Sequence, residues 1–135
     1  MEHRRDFLSM LAGFGAVSCE LQADDPPRRT RAAGVIQLPP PLDKQNATFS
    51  ELYIEPGKHS TPHRHAGFVL GYVIEGEFRF QISGEPEHIL RAGDIFYEPP
   101  GVTHLVSESA SAAKPARVLA IIIADSETKK LTEPA

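Results

Sequence analysis

The stretch Gly57-Lys58-His59-Ser60-Thr61-Pro62-His63-Arg64-His65 leads through Ala66-Gly67 into the apolar run Phe68–Ile74, which Glu75-Gly76 closes. Further on, Gly93-Asp94-Ile95-Phe96-Tyr97-Glu98-Pro99-Pro100-Gly101-Val102-Thr103-His104 repeats the scheme of turn, short run, turn and histidine. Working outward from these two stretches, turn signals recur every eight to twelve residues from Thr48 onward: Pro56-Gly57, Glu75-Gly76, Ser83-Gly84-Glu85-Pro86, Ala92-Gly93 and Pro99-Pro100-Gly101. That rhythm belongs to an all-β sandwich or barrel. Strands are expected over Phe49–Ile54, Phe68–Ile74, Glu77–Ile82, His88–Leu90, Asp94–Tyr97, His104–Glu108 and Val118–Ala124. Phe78-Arg79-Phe80-Gln81-Ile82 alternates apolar with polar, as a half-buried strand does. The reading is a small antiparallel β-barrel.

Composition narrows the function. The chain has 135 residues, 41% hydrophobic and 24% charged, which suits one ordinary domain. Lys plus Arg is 14 against 18 for Asp plus Glu, a formal net charge of -4. A nucleic-acid partner is therefore not expected, because phosphate binding needs a positive excess. No apolar run reaches the roughly 18–20 residues of a membrane-spanning helix. One cysteine excludes an intramolecular disulfide, and twelve prolines with ten glycines favour turns over long helices.

His63 and His65 stand two apart, so on an extended strand both side chains face the same way. Two neutral imidazoles on one face can share a metal ion. His104 opens another strand after a Pro-Pro-Gly turn, and a closed sheet would set it opposite the pair. His59 lies in an irregular approach and reads as a loop residue or an outer hydrogen-bonding partner. His88 reads as solvated. Glu98 is a candidate general base at a strand end, weighed against a surface acid, which is the favoured reading. Arg64 should point away from the histidine face, toward Arg79 or Glu77. Phe68, Tyr72, Phe78, Phe80, Phe96 and Tyr97 read as core or interface.

With these residues in place, a resemblance is apparent. Gly57, five residues, His63, one residue, His65, and later Gly76 resemble the first motif of the cupin superfamily. Gly93, five residues, Pro99, Gly101, two residues and His104 resemble its second motif, and the 16-residue gap from Glu77 to Ala92 is similar to that of small bacterial cupins. The resemblance implies a double-stranded β-helix, or jelly roll, with a divalent transition metal (Fe, Zn, Mn, Ni or Cu) held in the barrel mouth by His63, His65 and His104. Two departures matter. The family pattern places a Glu three or four residues after the second His, where this chain has Val69 and Leu70. The Asn usually found four residues beyond the last His is replaced by Glu108. Three neutral ligands leave the ion its full charge, which acidifies bound water and attracts anions more strongly. The resemblance thus implies dioxygenase-like or isomerase-type chemistry on a small oxygenated molecule. The alternative is a non-enzymatic module that binds or senses a small ligand.

Residues 1–23 read as an export signal, in which Arg4-Arg5 before Phe7-Leu8 resembles the twin-arginine type. A periplasmic or extracellular location is expected. Gly15-Ala16-Val17-Ser18 before Cys19 resembles the lipid-attachment box of bacterial lipoproteins, making Cys19 a candidate anchor. Residues 24–47 read as a linker and an amino-terminal edge strand, 48–124 as the barrel and 125–135 as a polar tail. The edge segment Val35–Leu38, together with the habit of small cupins, points to a homodimer.

Overall fold

In the segment Phe78-Arg79-Phe80-Gln81-Ile82, strand alternation drives Phe78, Phe80 and Ile82 inward, and all three are buried. The same period of two governs the rest of the chain. The computed structural model describes residues 30–135, so the expected export signal and Cys19 lie outside the described residues. The strands are β1 (Arg31–Gln37), β2 (Gln45–Ile54), β3 (His63–His65), β4 (Phe68–Glu75), β5 (Glu77–Ile82), β6 (His88–Arg91), β7 (Ile95–Glu98), β8 (His104–Ser109), β9 (Ala116–Asp125) and β10 (Thr132–Pro134). There is no helix among the described residues. Each strand foreseen from the sequence is present, with ends displaced by a few residues at most.

Two five-stranded sheets result, ordered β1-β2-β9-β4-β7 and β10-β3-β8-β5-β6, with antiparallel neighbours throughout. From β2 onward the chain crosses repeatedly between the sheets, and the strands roll into the expected double-stranded jelly roll. Gly76 alone links β4 in one sheet to β5 in the other. Its φ of 78° is open to glycine, and the Pro115 carbonyl crowds the place where a Cβ would sit.

The core fills the gap between the sheets. Val69 and Val73 from β4, Phe78 and Phe80 from β5, Phe96 from β7 and Val118 from β9 form it. Phe96 lies over Gly71, its partner across the β4–β7 pair, where any side chain would collide with the ring. On β9 the inward positions Ala116, Val118, Ala120, Ile122 and Ala124 alternate with outward ones. The small residues among them leave open volume near the middle of the barrel.

Two expectations change and one, the reading of Tyr72 and Tyr97 as core or interface, narrows to the surface. The polar tail is in part a strand: β10 pairs with β3, setting Thr132 against His65 and Pro134 against His63. Its residues have no apolar alternation, so only the free edge of β3 gives them a place. Tyr72 and Tyr97 are exposed, because they occupy outward positions beside the inward Gly71, Val73, Phe96 and Glu98. Arg64 does point away from the histidine face, yet its Nε donates to Thr103 Oγ1 at 3.1 Å, while Arg79 pairs with Glu87.

Candidate metal centre

β3 is only three residues long, and its alternation sends His63 and His65 to the inner face with Arg64 to the outer. The register of β3 against β8 pairs His63 with His104. His104 thus stands opposite the pair, as expected, from the neighbouring strand of the same sheet. The reason is that β3 inserts between β10 and β8. Donor atoms of the three imidazoles all lie within 4.8 Å of one another. The His63 ring centroid is 4.8 Å from that of His65 and 4.9 Å from that of His104.

Each imidazole is held differently. The Thr61 carbonyl lies 3.0 Å from His63 Nδ1. A carbonyl can only accept, so this contact places the proton on Nδ1 and leaves Nε2 with the lone pair a metal requires. His65 Nδ1 is 2.9 Å from Thr132 Oγ1 on β10. Burial lowers the pKa of His65, against an opposing pull from Glu98, and favours the neutral, ligating form. His104 is 4% exposed and packs against the Phe80 ring at 5.0 Å. Neither of its ring nitrogens has a hydrogen-bond partner. Two orphaned nitrogens in a buried ring are costly, and an ion bound there would satisfy one of them. The residues present therefore fit a divalent metal.

Glu98 overturns the reading of a surface acid. It is 4% exposed, at the inward end of β7 in the opposite sheet. Its Oε1 is 3.0 Å from His104 Nδ1 and its Oε2 is 3.7 Å from His65 Nε2. The 3.0 Å approach is off the line of a hydrogen bond, since His104 Nδ1 remains without a partner. A signal for this was present: in Ile95-Phe96-Tyr97-Glu98 the acid shares the parity of Phe96, so a core Phe96 carries Glu98 inward. Val69 is inward too, and it stands directly opposite Glu98 in the β4–β7 register.

The remaining candidates stay outside this cluster. His59 is exposed, with Nδ1 3.4 Å from Glu108 Oε1, and His88 is exposed on β6. The hydrogen-bonding partners of His63 and His65 are thus Thr61 and Thr132, which no sequence pattern marked. Glu108, in place of the usual Asn, accepts from the Ser60 amide at 3.0 Å and the Ser60 hydroxyl accepts from the Ser107 amide at 2.9 Å. These two bonds pin the loop before β3 to β8.

The histidines from one sheet and Glu98 from the other line a cavity of about 270 Å³. Leu52, Val69, Phe96, Val118, Ala120 and Ile122 form most of the remainder, with hydroxyls from Ser50, Ser107 and Thr132 and, among the described residues, no Lys or Arg.

A family model described as Cupin domain (Cupin_2) matches residues 50–122. Among solved structures, the chain is similar to a cupin-like protein from Thermotoga maritima, at 22% identity, with 83% of this chain and 89% of that one covered and a TM-score of 0.56. It is also similar to a DMSP lyase from Ruegeria pomeroyi (19% identity, 66% of this chain, 43% of that one, TM-score 0.57). Oxalate decarboxylase from Bacillus subtilis is a third likeness, at 22% identity over 67% of this chain and 24% of that one, with a TM-score of 0.53. The chain therefore spans under half the length of either enzyme. No curated protein matches it.

Proposed function

The chain belongs to the cupin domain family, and on that premise we propose that it is a metal-dependent protein acting on a small oxygenated molecule, with His63, His65 and His104 as metal ligands. The observation that carries this is the convergence of the three imidazoles within 4.8 Å, one of them buried with both nitrogens orphaned. A divalent ion there would supply Lewis acidity and open coordination positions. The chain's own residues do the rest. Thr61 and Thr132 orient the ligand rings, Phe78 and Phe80 wall His104 from water, and the aliphatic residues of β9 shelter the cavity. With no Lys or Arg among the described lining residues, a bound ion would be the main attraction for an anionic head. The fitting substrate has one oxygen-bearing end and a small apolar remainder. Dioxygenase-like or isomerase-type turnover of such a molecule is the enzymatic form of the proposal.

The second reading, a module that captures a small ligand without turnover, is favoured by one observation. Among the described residues, the only ionisable groups lining the cavity are the three histidines and Glu98. If all four serve the metal, none is left to move a proton.

The test is metal analysis of protein matured in its host, beside H104A. The wild type should carry about one equivalent of a divalent transition metal and H104A should lose it. An empty site in metal-replete wild-type protein overturns the proposal. Ligand-dependent O₂ uptake that disappears with the metal supports a dioxygenase; metal-dependent ligand binding without turnover supports the module. We also propose a homodimer, with a second copy on the apolar edges of the five-stranded sheet that carries β1.

A further inference from the structure

We propose that Glu98 is a fourth protein ligand of the same metal centre, delivered from the opposite sheet. The assignment rests on the three-histidine reading above and extends it. Glu98 is buried in a cavity whose other charged or titratable groups are His63, His65 and His104. A buried carboxylate needs a compensating cation, and among the described residues no Lys or Arg lines this cavity to provide one. A shared divalent ion does.

The spacing supports the same conclusion. Two donors each about 2.1 Å from one ion are about 3.0 Å apart at a right angle and about 3.4 Å apart at the tetrahedral angle. The carboxylate oxygens lie 3.0 Å from His104 Nδ1 and 3.7 Å from His65 Nε2, close to those edge lengths. The shorter contact also fails the direction of a hydrogen bond, so it is better explained as two donors converging on one point than as an acceptor orienting a ring.

The register explains how the carboxylate arrives. Val69 on β4 and Glu98 on β7 are paired residues on the inner face of one sheet. Directly opposed side chains of an antiparallel pair start about 4.5–5.5 Å apart, so either strand can serve the same part of the cavity. The apolar Val69 leaves that space to Glu98. The carboxylate cancels one unit of the ion's charge, so the finished centre is less electrophilic than three histidines alone would make it.

The experiment uses the full mature chain, stripped of metal and titrated with Co(II), and reads affinity and the visible absorption of bound Co(II). In E98Q the amide can still accept a hydrogen bond but replaces the anionic donor. The expected result is an affinity loss of at least about 100-fold, beyond the about 10–100-fold typical of an outer partner, with an altered Co(II) spectrum. The exchange variant V69E/E98V should recover part of the loss and the original band pattern. If E98V proves too unstable to titrate, E98Q decides. Affinity within about threefold of wild type and an unchanged spectrum in E98Q overturn the assignment and leave three histidine ligands standing. Failure of the wild type to bind Co(II) removes the metal centre itself, a different result.

Discussion

Thr132 shows what a single residue outside the two histidine motifs contributes. Its hydroxyl lies 2.9 Å from His65 Nδ1, so it selects the ring orientation that presents Nε2 toward Glu98. Replacing it with valine keeps the branched shape and removes the hydrogen bond. T132V should keep its fold by circular dichroism and bind a divalent metal about 10–100-fold more weakly, the scale typical of an outer partner. Competition against a chromophoric chelator measures this, and unaltered affinity would show that β3 alone orients His65. The histidine cluster was legible because a period of two is robust: His63 and His65 share a face in any extended conformation. Glu98 was half legible. Its parity followed from Phe96, but its closeness to the histidines depends on the gap between two sheets, which no local pattern encodes. Thr132 was illegible, since three polar residues become a strand only where a free edge awaits them.

The strands themselves were readable because turns punctuate them and because β5 and β9 alternate plainly. What escaped notice was the charge arrangement that ties one strand to the next. Glu51 on β2 contacts Arg117 on β9 and, at 2.9 Å, Arg31 on β1. Arg117 first, and then Arg31, hold its carboxyl below the ordinary value of 4.5. As pH falls through that ordinary value the unfolded chain takes up a proton that the folded chain still refuses. The stabilisation is accordingly full above 4.5 and disappears as pH falls through the lowered folded value. E51Q lacks this dependence. The urea midpoint of wild type should exceed that of E51Q at pH 7, and the two should converge as pH falls below the lowered value of the folded carboxyl. The gap at pH 7 should also shrink in high salt, because the group lies near the surface. Parallel midpoints across the whole range would mean that the cluster adds nothing to the hold of β1 on β2.

At the scale of the molecule, one sheet carries apolar surface at both of its edges. At the β1 edge Val35 is 61% and Ile36 56% exposed. At the β7 edge Ile95 is 77% exposed, and with Tyr97, Leu70 and Tyr72 it forms one outward patch, since Leu70 pairs with Tyr97 and Tyr72 with Ile95. A two-fold axis lets the β1 edge of one copy cover the β7 edge of the other, and the reverse, so both patches are buried together. That reciprocity is why a second copy suits this surface better than an unrelated partner. Light scattering at tens of micromolar should then give the dimer mass for wild type and the monomer mass for both I95E/Y97E and V35D/I36D. Inward Phe96 and Glu98 alternate with Ile95 and Tyr97, so the I95E/Y97E monomer should retain its metal. A wild type that is monomeric at this concentration removes the dimer, and so does a dimer that survives both pairs of substitutions. Loss of metal together with dissociation would instead mean that β7 needs the partner to hold Glu98 in the cavity, which ties the assembly directly to the site.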